Sequence, residues 1–162
     1  MTGDRQLTCR KWPAYAAAGW AFAFAAVSFY WALGGTVGLD TLSLELERDA
    51  REGGTELVAL TVPPGVAKLA LGILALLLVD PRRSPLPRRA LIVLAWLVGI
   101  GLSLYGGVLT AEKALMKLDV LDVPESLGDD RVTWYLCFWD PLWLIGEILF
   151  LLAAARGQNQ EA

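Results

Sequence analysis

The chain has 162 residues, 56% hydrophobic and 19% charged, with a net charge of -3 and no histidine. A soluble domain is about 45–50% apolar and about 25% charged, so the excess implies a membrane protein. The missing histidine excludes Ser-His-Asp and Cys-His catalysis and His-ligated metals. Two cysteines cannot build a four-thiolate centre, so no metal site and no cofactor are expected.

Four apolar runs are long enough to cross a hydrocarbon core about 30 Å thick, which takes roughly 20 helical residues. The first covers residues 14–33 and carries no charge. Arg10 and Lys11 flank it, but it outlasts a secretory h-region and ends in Leu33-Gly34-Gly35 rather than at an A-x-A site. It is therefore read as a span. The segment Gly34-Gly35-Thr36-Val37-Gly38 lacks the Gly-Lys-Ser/Thr ending of a phosphate loop and reads as a flexible exit.

In the loop 34–56, Leu39, Leu42, Leu46 and Ala50 recur near helical spacing, with Asp40 or Thr41 as a cap and Gly53-Gly54 as a stop. The expectation is a short amphipathic helix at the outer surface. Alternating Leu42, Leu44 and Leu46 also fit a strand, but a lone strand leaves its backbone unpaired.

The second run, 57–79, contains Pro63-Pro64 and Lys68. A stiff basic connection with Arg82, Arg83, Arg88 and Arg89 leads to the third run, 90–109, which is uncharged. Gly99, Ser103 and Gly107 recur there every four residues, a spacing that permits close helix approach within the bundle or in a homo-oligomer. The fourth run, 132–155, carries Asp140 and Glu147.

Eight Lys and Arg residues fall at the chain ends and in the second connection, against five in the other two loops. Those two loops hold twelve acidic residues. The positive-inside rule then places both termini in the cytoplasm and the acidic loops outside. The acidity belongs to outer loops, and no nucleic-acid partner is implied. Cys9 and Cys137 lie at different depths, so no disulfide is expected. The reading is one all-α domain over residues 1–162: a four-helix transmembrane bundle with both termini on the cytoplasmic side.

Chemistry concentrates in the ionisable groups within spans, each costing about 2.5–3.5 kcal/mol to insert. Asp140 and Glu147 are seven residues apart and share a helix face with Trp143. At 1.5 Å rise per residue, Asp140, Tyr30 and Tyr105 fall at similar depth, about 22–24 Å from the cytoplasmic end, with Lys68 at about 16 Å and Glu147 at about 12 Å. Lys68 then has two readings. It pairs with an acid, or it snorkels outward if its helix starts at Pro64. Two acids and one lysine leave one carboxyl unpaired, and such a group in a low-dielectric site suits a general acid. Trp31, Phe138, Trp139 and Trp143 would line a greasy pocket whose ring faces stabilise positive charge.

At Ser28-Phe29-Tyr30-Trp31-Ala32-Leu33-Gly34-Gly35-Thr36, Leu104-Tyr105-Gly106-Gly107-Val108-Leu109-Thr110 and Phe138-Trp139-Asp140-Pro141-Leu142-Trp143, the chain resembles a family of small four-span actinobacterial membrane proteins with a domain of unknown function. That resemblance implies the four-span topology and a bacterial inner membrane as the location. By kind and position alone, Asp140, with Glu45 or Glu47 near the first loop, is also similar to the acids of integral-membrane terpene cyclases, which are usually longer. The expected function is carboxylic-acid-initiated cyclisation or isomerisation of a hydrophobic isoprenoid-like substrate. Asp140 would be the acid and Glu147 a second carboxylate; Tyr30 and Tyr105 would orient Asp140, and the aromatics and Lys68 would hold substrate. The rival is a non-enzymatic lipid-binding, transport or accessory protein, with Asp140, Glu147 and Lys68 as an ion-pair network.

Overall fold

The computed structural model describes residues 3–52, 55–125 and 127–158. Every regular element among them is helical: α1 (Gly3–Ala32), α2 (Leu44–Glu52), α3 (Thr55–Val79), α4 (Arg88–Lys117) and α5 (Asp129–Gln158). Single turns at Leu39–Thr41 and Pro81–Arg83 complete the connections.

Three helices, α3, α4 and α5, are long and apolar enough to cross a membrane. The expectation was four. Although α1 is 30 residues long, it is not among the three: it carries Ala and Gly at many positions where they carry Leu, Ile and Val. Those small residues make it the packing centre instead. Ala14, Ala17, Ala18, Ala21, Ala25 and Ser28 are all buried along it. Opposite them, α3 offers Gly72 to the Phe22 ring and Gly65 to Phe29 and Ser28. Helix α5 offers Gly146, where a Cβ would collide with the Trp20 indole. Trp20 Nε1 also donates to Leu142 O at 2.8 Å.

Helices α4 and α5 run antiparallel, with contacts recurring every seven residues along α4. Gly99 meets Leu151, Gly106 meets Glu147, and Lys113 faces Asp140. Gly99 is thus used inside the chain, and Ser103 Oγ donates to Gly99 O at 2.8 Å. A Cβ on Gly107 would meet nothing within 4 Å. The expected small-residue stripe therefore divides between an internal contact and an open face.

Two boundaries differ from the sequence reading. Helix α3 runs from Thr55 straight through Pro63-Pro64, both exposed, so Lys68 lies mid-helix rather than in a first turn. Helix α4 continues past Leu109 to Lys117, because Ala114, Leu115 and Met116 extend its apolar pattern. Lys113 thereby belongs to a helix and not to an outer loop.

The expected short amphipathic helix is present as α2. Leu42, Leu46 and Ala50 pack on Trp31, Leu39 and Leu57. Its start differs: Ser43 Oγ, not Asp40 or Thr41, accepts from Glu45 N–H at 3.2 Å. The anticipated Gly53-Gly54 stop lies outside the described residues. Asp49 accepts from the Leu57 N–H and satisfies a donor in the first turn of α3. Arg131 reaches from α5 to Glu47 at 3.1 Å, and Arg51 pairs with the same carboxylate at 2.8 Å. At the other end, Arg88 donates to Gly157 O at 3.0 Å and joins α4 to α5.

Much apolar surface faces outward. On α4 alone Val93, Leu97, Ile100, Leu104 and Val108 form an exposed stripe. A patch of that kind is unusual on a soluble monomer and ordinary against lipid.

Candidate functional site

A cavity of about 500 Å³ opens between α1, α3, α4 and α5. Helix α1 contributes Phe24, Val27 and Trp31; α3 contributes Lys68; α5 contributes Tyr135, Trp139, Asp140 and Trp143. Helix α4 supplies Tyr105, Gly106, Leu109, Thr110, Glu112, Lys113 and Met116, while Leu42, Pro124 and Leu127 from the connecting segments complete the lining. The volume and the mostly apolar, aromatic lining with a few polar groups are those of a small-molecule site.

Local backbone chemistry aims α5 at this cavity. Pro141 has no N–H and crowds the carbonyl four residues back. The chain responds with a π turn over Tyr135–Trp139, in which Asp140 N–H bonds to Tyr135 O. Single π turns recur at functional sites because the extra residue re-aims the side chains that follow. Trp139 and Asp140, at the end of this turn, both line the cavity.

The aromatics form a continuous ladder. Ring centroids lie 5.2 Å apart for Trp20 and Trp143, 5.5 Å for Trp143 and Phe24, 6.4 Å for Phe24 and Trp139, and 6.0 Å for Trp139 and Trp31. Two indoles are tethered to the turn after α1. Trp31 Nε1 donates to Val37 O at 2.9 Å, and Trp139 Nε1 donates to Thr41 Oγ1 at 3.1 Å.

Three charged groups meet this aromatic wall at depth. Asp140 Oδ1 lies 3.8 Å from Lys113 Nζ, and each side chain is only 10% exposed. Lys113 Nζ also donates to Leu109 O at 3.0 Å and stands 4.6 Å from the Tyr135 ring centre. Asp140 Oδ2 is buried without a hydrogen-bond partner. Lys68 Nζ donates to Ser28 Oγ at 2.8 Å and lies 5.4 Å from the Trp143 ring and 5.9 Å from Phe24. Among the described residues no carboxylate comes within 4.0 Å of Lys68. It neither snorkels nor pairs with an acid.

The structure thus brings Asp140, Tyr105, Trp31, Trp139, Trp143 and Lys68 to one cavity. Three expected members stand elsewhere. The Tyr30 ring covers Gly35, and its hydroxyl accepts from Val37 N–H at 3.4 Å, so it serves the turn rather than Asp140. Phe138 is exposed outside the cavity. Glu147 shares the face of α5 that carries Asp140, but it is buried against Gly106 and does not line the cavity. Glu45 and Glu47, the expected counterparts near the first loop, sit on α2 outside the lining. The residues missed were Lys113, Glu112 and Tyr135. Lys113 was detectable: it lies seven residues after Gly106, on the same face of a helix that Leu115 and Met116 prolong. No group of His, Cys, Asp and Glu among the described residues is arranged to hold a metal ion.

A family model described as a protein of unknown function, DUF3995, matches residues 21–150. The chain belongs to the DUF3995 family. The DUF3995 match takes in every residue that lines the cavity, from Phe24 to Trp143. No curated protein and no solved structure matches the chain.

Proposed function

We propose that this DUF3995 protein is an integral-membrane enzyme that takes a hydrophobic, isoprenoid-like molecule into the cavity and performs acid–base chemistry on it through Asp140. The carrying observation is one nearly buried carboxylate on an aromatic wall, with an oxygen that has no partner. A buried acceptor left unsatisfied costs about 1–3 kcal/mol, and a ligand O–H donor at that point removes the cost. Lys113 holds the charge of Asp140 in place, and Tyr105 stands on the rim.

The two ammonium groups alter the chemistry expected from sequence. A carbocation is stabilised by ring faces and destabilised by like charge nearby. With Lys68 and Lys113 both lining the cavity, isomerisation by proton shuttling is favoured over cyclisation through a long-lived cation.

The membrane arrangement belongs to the same proposal. Helix α1 is taken as a fourth span, because it lies antiparallel between α3 and α5 and shares their length. The Lys and Arg distribution supports cytoplasmic termini in a bacterial inner membrane.

A second reading, lipid binding without turnover, is favoured by the Lys113–Asp140 pair itself, since an ion pair satisfies both groups with no reaction. One experiment separates the two. Lipids co-purifying with the wild-type chain and with Asp140→Asn are compared by mass spectrometry, and the molecule found is returned to each protein. The enzyme reading expects turnover to fall by about 10²–10⁴-fold in the variant. Binding with no conversion by either protein leaves the lipid-binding reading. No co-purifying hydrophobic molecule removes both.

A further inference from the structure

We propose that Lys68 receives the anionic head of an amphiphile, a carboxylate or phosphate carried on an apolar chain that lies along the tryptophan ladder. This rests on the reading of the cavity as a ligand site and adds the chemical class of the ligand.

The argument begins with charge and depth. Lys68 is 13 residues from the start of α3 and 11 from its end. At 1.5 Å per residue it stands roughly 16–20 Å from either end of its helix, beyond the reach of a snorkelling side chain. Its ammonium points inward to Ser28, which is 2% exposed. The other lysine at the cavity has Asp140 as counterion. The other carboxylate buried in α5, Glu147, packs against Gly106 and makes no ion pair with Lys68. Lys68 is therefore a cation at mid-helix whose partners are a neutral hydroxyl and two ring faces. A charge so placed calls for an anion, and no carboxylate of the described residues reaches it.

The surroundings choose among anions. A free inorganic ion entering here trades its hydration for one ammonium and a wall of rings, a poor exchange. An anion with an apolar tail regains that cost by burying the tail against Phe24, Trp139 and Trp143. Access is available sideways. Val27, Tyr105 and Glu112 are cavity residues and exposed, and α3 and α4 pack together less closely than α1 packs on α3 or α4 on α5.

The test uses the full chain in maltoside micelles with dodecanoate, dodecyl phosphate and dodecanol as probes, read by tryptophan fluorescence and by ligand-dependent thermal shift. At least one anion is expected to bind tenfold or more tightly than dodecanol. Lys68→Gln should bring the anions down to the level of dodecanol without changing dodecanol itself, and Lys68→Arg should keep the preference. Which anion leads identifies a fatty-acid or a phospholipid-like head; either supports the proposal. If Lys68→Gln does not fold, the wild-type preference and its retention in Lys68→Arg decide. Dodecanol binding as tightly as both anions overturns the anion site and leaves the cavity reading standing. So does competition by inorganic phosphate at concentrations similar to the probes. None of the three probes binding the wild-type chain removes both.

Discussion

Lys113 and Asp140 face each other across the α4–α5 interface, Nζ 3.8 Å from Oδ1, each side chain nine-tenths buried. Removing one partner leaves the other charged and buried, at about 3–5 kcal/mol. Lys113→Met and Asp140→Leu should each lower the unfolding midpoint in micelles, while the double variant should recover most of the loss. Additive losses in the double variant would show that the two groups do not interact.

Glycine positions make a second, sharper test because the space around them differs so much. A Cβ at Gly146 meets the Trp20 indole, whereas at Gly101 and Gly107 it meets nothing within 4 Å. Gly146→Ala should cost about 1–3 kcal/mol through displacement of Trp20. Gly101→Ala and Gly107→Ala should be neutral or stabilising by helix propensity. Should Gly107→Ala weaken the protein as much as Gly146→Ala, or dissociate an oligomer, the Gly107 face is an interface.

The docking of α2 has a pH dependence of defined sign. The hydrogen bond from Arg51 holds the Glu47 carboxyl below its ordinary value of 4.5, aided by Arg131. A group depressed in the folded state contributes stability above its unfolded pKa and loses it as pH falls through the folded one. Docking of α2 should therefore be constant from neutrality to about pH 5 and weaken below 4.5. Hydrogen exchange of residues 44–52 reads this directly, and Glu47→Gln should remove the dependence.

Orientation is testable in intact cells. With Cys9 and Cys137 replaced by serine, Asp122→Cys should react with a membrane-impermeant maleimide and Ser84→Cys should react only after lysis. The reverse pattern would invert the arrangement derived from the arginines of the second connection.

Much of this architecture was legible because its signals are local. Apolar runs marked the helices, the spacing of Leu42, Leu46 and Ala50 marked α2, and Asp140 stood out as a charge inside a span. What escaped depends on facing and register. Lys113 was assigned to a loop because Glu112 and Lys113 interrupt the hydropathy, yet the helix continues to Lys117 and turns that lysine inward. The double proline hid that α3 is continuous, which settles the depth of Lys68. The π turn before Pro141, which brings Trp139 and Asp140 to the cavity wall, was not anticipated, because the form a helix takes around a proline depends on the neighbours it packs against. Tyr30 meets Gly35 and Val37 rather than Asp140, because position along a helix does not specify azimuth.

The alanine stripe of α1 has a consequence for how the chain settles in a bilayer. Between helices in lipid, hydrophobic driving force is largely absent, and association rests on close contact. Alanine and glycine have no rotamers to freeze, so the α1–α3 interface forms at low entropic cost. The same residues make α1 a poorer solute for hydrocarbon than its partners. If α1 is the fourth span proposed above, the helix least able to hold itself in lipid is the one best able to be held by others, and its insertion is coupled to assembly with α3 and α5.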